Sequence, residues 1–225
     1  MDFSSFLTAP PWLPEPQLMR WAWHLSWALV LAAGVVWMGR PQVRWPLALM
    51  ALLWTLFAGA LSPAHWLGLA FQSPSLTSVG LCLLWLVRQW PSRRLAASRA
   101  AKPGASASLA WLVLSGAGLM LGGLLLGDLL AWWPVSVYAW GFGTPALLLA
   151  CSLTLVFWLV FGSGTAGQQA TGVIAAVLVV FTVTRLPSGN LWDAVLDPWL
   201  WMSLQVAALV RLWRWGSARF RAGRV

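Results

Sequence analysis

The sequence has very little charge. Charged residues make up 8% of the 225 residues, and only five of them are acidic, whereas soluble domains carry about 25% charged residues. Five acids and fourteen bases are too few to cover the surface of a soluble fold of this length. The composition therefore excludes a soluble monomer and predicts an integral membrane protein.

Motifs for catalysis and metal binding are also missing. We find no Walker A, HExxH or GxSxG motif. The two cysteines, Cys82 and Cys151, lie in apolar segments and suit neither a disulfide framework nor a zinc site. The only lysine, Lys102, lies in a hydrophilic loop, which excludes a retinal Schiff base. We therefore predict a chain that is not an enzyme and has no metal site, and the sequence identifies no cofactor.

Apolar residues and tryptophan dominate what is present. Hydrophobic residues make up 60% of the chain and 20 residues are Trp, a side chain that favours the membrane–water interface. Apolar runs and Pro-marked helix starts predict an all-α bundle of about seven transmembrane helices in one membrane domain. The predicted spans lie near 17–39, 46–61, 74–90, 109–131, 145–162, 168–184 and 198–215.

One apolar segment is too short to span the bilayer. Residues 63–71 lie between two Ser-Pro pairs and predict a short interfacial or re-entrant helix, whose backbone is hydrogen-bonded internally. Six spans remain an alternative if 46–61 pairs with 63–71 as a broken element.

The basic residues predict an orientation. With seven spans, only Arg20 and Arg185 fall on one side of the membrane, whereas the other twelve bases, many of them in the loop 91–108 and the tail 216–225, fall on the opposite side. The positive-inside rule then places the N-terminus outside and the C-terminus in the cytoplasm. The preference for Arg over Lys, together with abundant Ala and Leu, is typical of GC-rich bacteria and indicates a bacterial inner membrane. Because the bases flank apolar spans, we do not expect nucleic acid as a partner.

Small residues on the fourth predicted span form candidate packing faces. Gly118 and Gly122 form one GxxxG motif, and Gly123 and Gly127 form another. Such faces let helix backbones approach closely, so they predict either packing within the bundle or docking of another membrane subunit.

Three further groups of polar residues are candidate sites. His24 and His65 are both predicted near the outer face among tryptophans, where they would either hydrogen-bond to neighbours or bind haem or a metal. Arg185 ends the sixth span, and Asp193 and Asp197 follow it; Asp197 is also a predicted N-cap. The list of in-membrane candidates is short, since no ionisable side chain falls near the middle of a span and the main polar exception is Gln205.

These features lead to three functional hypotheses. The first is a non-catalytic accessory, assembly or scaffolding subunit, with the lipid bilayer and other membrane subunits as partners. The alternative is a permease or solute-binding component for a small neutral or amphipathic molecule, which would contact Gln205. The third is haem or metal handling at His24 and His65.

Overall fold

A computed structural model describes residues 13–90 and 105–222. It is all-helical, with 78% helix and no strand in the described part of the chain. The predicted all-α class is therefore confirmed. Helices satisfy their backbone hydrogen bonds within each segment, which is what a lipid environment requires.

Ten helices follow one another through the described ranges. They are α1 (Pro16–Met38), α2 (Arg44–Thr55), α3 (Pro63–Phe71), α4 (Leu76–Gln89), α5 (Ala105–Leu129), α6 (Val137–Trp140), α7 (Thr144–Phe161), α8 (Thr165–Thr184), α9 (Leu191–Val195) and α10 (Pro198–Ala222). Most of the predicted loop 91–108 lies outside the described residues.

Four helices are long and apolar enough to cross a membrane. The qualifying segments are Pro16–Met38, Leu109–Leu129, Thr144–Phe161 and Gly167–Thr184. The shortest of them have 18 residues, which at about 1.5 Å per residue approach the hydrocarbon thickness of about 30 Å. These helices indicate membrane insertion, but the predicted count of seven spans is not confirmed.

The other three predicted spans differ for identifiable reasons. Helix α2 has 12 residues and α4 has 14, which corresponds to about 18 and 21 Å. Helix α10 has 25 residues, but Arg211 and Arg214 interrupt its apolar character halfway along. It continues to Ala222, so most of the predicted tail 216–225 is helical.

Helix α2 ends at Thr55, whereas the predicted span continues to residue 61. The following turn includes Gly59 with a φ of 88°. Two indoles stabilise this turn: Trp54 Nε1 donates to the Leu61 carbonyl at 2.9 Å, and Trp66 Nε1 donates to the Ala60 carbonyl at 2.7 Å. The apolar run is thus a helix followed by a hydrogen-bonded turn.

Serine caps set the boundaries of the next two helices. Helix α3 covers the predicted residues 63–71, with the Ser62 hydroxyl accepting from Ala64 N–H at 3.2 Å. Helix α4 begins at Leu76 instead of the predicted residue 74, because the cap is Ser75, whose hydroxyl accepts from Ser78 N–H at 3.1 Å.

The bundle has two chemically different ends. The three short helices α3, α6 and α9 lie at one end, which we name the short-helix end; there the start of α4 contacts the start of α10 through a hydrogen bond from Ser75 to Asp197. At the other end, which we name the basic end, Arg88 of α4 donates a hydrogen bond to Gln169 of α8. The arginines of α10 lie toward this basic end because α10 begins at the opposite one.

Helix α8 is central, since α4, α5 and α7 all pack against it. The largest buried cluster joins α7, α8 and α9 and contains Ala146, Leu178, Phe181, Leu191 and Ala194. Many large apolar side chains outside this core are exposed, among them Leu153 and Val183. An apolar surface of this kind suits contact with lipid, which solvates such side chains without a hydrophobic cost.

Candidate functional site at the short-helix end

The main candidate site is a groove of about 600 Å³ at the short-helix end. We name it the end groove. Its walls come from the first turns of α1, the end of α3, the loop after α8 and the first turn of α10. Small-molecule sites generally have volumes of roughly 300–1,000 Å³ and combine apolar walls with a few polar groups. The end groove fits both criteria.

Helix α3 forms one wall and is attached to α1 by two tryptophans. Trp23 Nε1 donates to the Ala64 carbonyl at 3.1 Å, and Trp27 Nε1 donates to the Gln72 carbonyl at 2.9 Å. Gly68 permits the close approach, because a Cβ at this position would lie 1.8 Å from the Trp23 ring.

Gln72 ends this helix in a rare backbone conformation, with φ 62° and ψ −156°. This region is populated almost only by glycine, and a residue held there costs about 1–3 kcal/mol. The hydrogen bond from Trp27 to the Gln72 carbonyl helps to hold the strained residue at the edge of the end groove.

Asp197 lies in the groove wall and joins two helix starts. Its Oδ2 accepts from Ser75 N–H at 2.8 Å, from the Ser75 hydroxyl at 2.7 Å and from the Ser78 hydroxyl at 2.5 Å. Its Oδ1 accepts from Leu200 N–H at 2.8 Å, as expected for an N-cap of α10. The side chain is only 7% exposed, so four donors and two helix dipoles compensate its burial.

Asp193 is the second carboxylate of the end groove. Its Oδ2 accepts from the Tyr138 hydroxyl at 2.8 Å and from the Ser188 hydroxyl at 2.5 Å. Burial first, then the hydrogen bond to Asp193 and the charge of this carboxylate, together raise the pKa of Tyr138 to about 12. The hydroxyl therefore stays protonated and donates at every physiological pH.

Arg185 does not pair with either carboxylate. Its guanidinium stacks over the Phe181 ring at 5.2 Å from the centroid, and its Nε is buried without a hydrogen-bond partner. The residue ends α8 in the left-handed conformation, with φ 56°. The predicted cluster of Arg185, Asp193 and Asp197 is thus reduced to the two acids, each satisfied by neutral donors.

Sequence reasoning missed Asp128 and Asn190 as organisers of this end. Asp128 of α5 accepts from Val137 N–H at 3.1 Å and from Tyr138 N–H at 2.8 Å, and so holds the start of α6. Asn190 is fully buried, caps α9 and donates to the Tyr138 carbonyl at 3.0 Å. An Asn directly before a short apolar segment is a recognisable N-cap signal, but its partner 52 residues away is not visible in the sequence.

The histidines lie at the same end in different surroundings. His24 Nδ1 lies 2.9 Å from the Thr55 carbonyl; because a carbonyl only accepts, Nδ1 carries the proton and ties α1 to the end of α2. His65 packs edge-on against Trp66, with ring centroids 5.3 Å apart. In the described ranges no three metal-ligating side chains come together.

The glycines of α5 divide into covered and open positions. A Cβ on Gly122 would lie 2.2 Å from Trp201 of α10, and one on Gly118 would lie 2.7 Å from Leu204. Gly127 is covered by Trp133, whereas a Cβ on Gly123 would meet nothing within 4 Å. Gly118 and Gly122 therefore pack within the chain and are not free for another subunit. Only Gly123 of the four predicted positions remains open.

Gln205 is half-buried on α10. Its neighbour Leu204 lines a cavity of about 210 Å³ between α4, α5 and α8, together with Ser115 and Thr77 in an otherwise apolar wall. Gln205 is not among the residues that line this cavity. This cavity therefore does not provide the predicted contact with Gln205, which stays a prediction.

Comparison of the chain with protein-family models, curated proteins and solved structures finds no match.

Proposed function

We propose that this chain is a non-catalytic accessory subunit, acting in assembly or as a scaffold, of a bacterial inner-membrane complex. The proposal rests on one observation: polar side chains at the short-helix end hydrogen-bond to other helices and loops of the chain. Asp128, Asp197, Asn190 and His24 each hydrogen-bond across elements and hold helices in place. Groups that could have carried chemistry therefore serve the architecture.

Two apolar surfaces support a role in assembly. Helix α7 packs mainly on α8, and Leu148, Leu155 and Leu159 along it are all more than half exposed. On α5, Gly116 and Gly123 lie seven residues apart and neither would have a neighbour within 4 Å of a Cβ. Positions seven apart share a helix face, which on α5 also carries the exposed Met120. We propose that a helix of another membrane subunit packs on this open face.

The proposal includes a membrane arrangement. We propose seven crossings by α1, α2, α4, α5, α7, α8 and α10, with the short-helix end outside and the basic end in the cytoplasm. The distribution of the bases along the sequence supports this orientation.

The accessory role is tested by native mass of the chain gently solubilised from its host membrane. We expect a particle heavier than the chain, with stoichiometric membrane subunits. Gly116→Leu and Gly123→Leu should reduce recovery of these partners at least about tenfold, since a leucine would separate the packed backbones. Gly172→Leu is the matched control, because Gly172 of α8 is equally open. A monomer without partners would contradict the proposal. An equal loss of partner recovery with Gly172→Leu would exclude the α5 face as the specific docking site.

A second candidate function is binding of a small amphipathic solute. One observation favours it: the end groove combines apolar walls with Asp193 and Asp197 in a volume suited to a small molecule. Solute binding to the purified chain in nanodiscs tests this function independently of any partner.

A further inference from the structure

We propose that the end groove binds the ammonium group of an amphipathic molecule, with Asp193 as the anionic contact. The inference rests on the second candidate function and specifies the ligand class. The shared chemistry is a protonated amine attached to an apolar body, which describes both an aminolipid headgroup and a free alkylamine.

The charged residues of the groove determine whether it favours a cationic or an anionic ligand. Among the residues that the structure describes, Asp193 and Asp197 are the only ionisable ones that line it. Two bases lie near the lining in sequence, Arg20 next to Met19 and Arg185 two residues before Pro187, and neither lines the groove. The guanidinium of Arg185 stacks on Phe181. A cation entering the groove would meet two carboxylates and no base in the described lining, whereas an anion would meet two like charges.

The two carboxylates differ in what they can still accept. Both oxygens of Asp197 already accept hydrogen bonds, three at Oδ2 and one at Oδ1. Asp193 accepts only at Oδ2, and within the described part of the chain its Oδ1 receives no hydrogen bond. Asp193 therefore has an oxygen available for an ammonium N–H, and a charge-assisted hydrogen bond of this kind is about twice as strong as a neutral one.

The remaining walls suit the rest of such a ligand. Trp199 lies edge-on to Phe71, with ring centroids 4.9 Å apart, and both line the groove with Met19 and Met202. Indole faces attract cations, and thioether side chains adapt to apolar ligands of varied shape. The position of the groove at the end of the bundle places a charged head near the membrane interface, with its apolar part toward the hydrocarbon.

The test measures ligand retention by the full chain in nanodiscs. In one arm, native mass spectrometry compares retained phosphatidylethanolamine with retained phosphatidylglycerol of the same acyl chains. In the other arm, octylammonium, octanoate and octanol are titrated into phosphatidylglycerol nanodiscs, and binding to empty nanodiscs is subtracted. These probes share an apolar chain and differ in charge.

The test variant is Asp193→Asn, which keeps an oxygen for Tyr138 and Ser188 and removes the charge. Asp197→Asn would be a poor choice, because its amide would face backbone and hydroxyl donors on both sides. Glu15→Gln is the matched control, since Glu15 is an exposed acid at the start of α1 that does not line the groove.

We expect the ammonium ligand to be preferred, with Asp193→Asn weakening its binding about fivefold and Glu15→Gln leaving it unchanged. Retained phosphatidylethanolamine would identify a lipid source, and octylammonium binding alone would identify a free amine. Equal binding of the three octyl probes, or a preference unaffected by Asp193→Asn, would overturn the inference and leave solute binding intact. The absence of all binding would overturn both.

Discussion

At the residue scale, Tyr138 is a natural spectroscopic reporter of its own ionisation and of the nearby Asp193 carboxylate. It is the only tyrosine in the chain, so phenolate absorbance reports this single hydroxyl. Burial first, and Asp193 second, raise its pKa to about 12. Because the pKa in the folded state lies above the usual value of about 10, the stabilising contribution of the neutral hydroxyl is complete below about pH 10. It is lost as the pH rises through about 12.

We predict that Asp193→Asn lowers the midpoint of this titration but leaves it above the value of an unburied tyrosine. The physical reason is that removing the carboxylate charge eliminates one cause of the raised pKa, whereas burial, the larger cause, remains. Spectrophotometric titration in detergent measures the shift, and Tyr138→Phe confirms the assignment by abolishing the signal. A midpoint that does not move in the Asp193→Asn variant would show that the carboxylate does not act on this hydroxyl.

Asp197 shows how far residue-level prediction from the sequence extends. The Asp-Pro pair predicts an N-cap, and Asp197 does cap α10. Its stronger contacts, however, go to Ser75, which lies 122 residues earlier. Local patterns predict local hydrogen bonds, whereas contacts of this separation arise from packing of α4 against α9 and α10, which no periodicity in the sequence encodes.

At the element scale, hydropathy predicts the long apolar helices well and the short ones poorly. After its opening Pro46, the apolar run 46–61 contains one glycine, Gly59, yet α2 already stops at Thr55. The termination depends on tertiary partners: His24 binds the Thr55 carbonyl, and the indoles of Trp54 and Trp66 satisfy the turn that follows. A helix end satisfied by side chains distant in sequence cannot be located from composition. Helix α3 was predictable because Ser-Pro pairs lie on both sides of it.

Replacing two helix glycines by alanine should change the stability of the chain in opposite directions. Gly34 of α1 has nothing within 4 Å of a Cβ, so Gly34→Ala should stabilise the chain by about 0.5–1 kcal/mol through reduced backbone entropy. Gly68→Ala should destabilise it and detach α3, because the added methyl would overlap the Trp23 ring. Thermal unfolding of both variants in one detergent measures the difference. If Gly68→Ala were as stable as Gly34→Ala, the close packing of α3 on α1 would be incorrect.

At the scale of the whole molecule, the two ends differ in both charge and polar chemistry. Asp128, Asp193 and Asp197 gather at the short-helix end, where Asp128 and Asp197 accept from hydroxyls and backbone N–H groups and Asp193 accepts from two hydroxyls. Arg88 and the arginines of α10 lie toward the basic end. This asymmetry follows from chain direction, because Arg88 lies near the end of α4 and the arginines of α10 lie in its second half, whereas Asp128 lies near the end of α5 and Asp193 and Asp197 lie between α8 and α10. The end groove and the proposed orientation are therefore linked: a groove at the short-helix end would open to the outside.

The last prediction tests that orientation in intact cells. In a background with Cys82 and Cys151 replaced by Ala, Trp66→Cys introduces a thiol on the exposed face of α3, and Gly216→Cys introduces one near the end of α10. A membrane-impermeant maleimide should label the Trp66→Cys variant in intact cells and the Gly216→Cys variant only after lysis, because the positive-inside rule predicts that the basic end lies in the cytoplasm. The two variants control each other for reactivity. The reverse pattern would show that the short-helix end faces the cytoplasm. Labelling of both thiols in intact cells would show that they lie on the same side of the membrane, with an even number of crossings between them. With the reverse pattern the end groove would open to the cytoplasm and would have to draw its ammonium ligand from inside the cell, whereas labelling of both thiols would still leave α3 and the end groove outside.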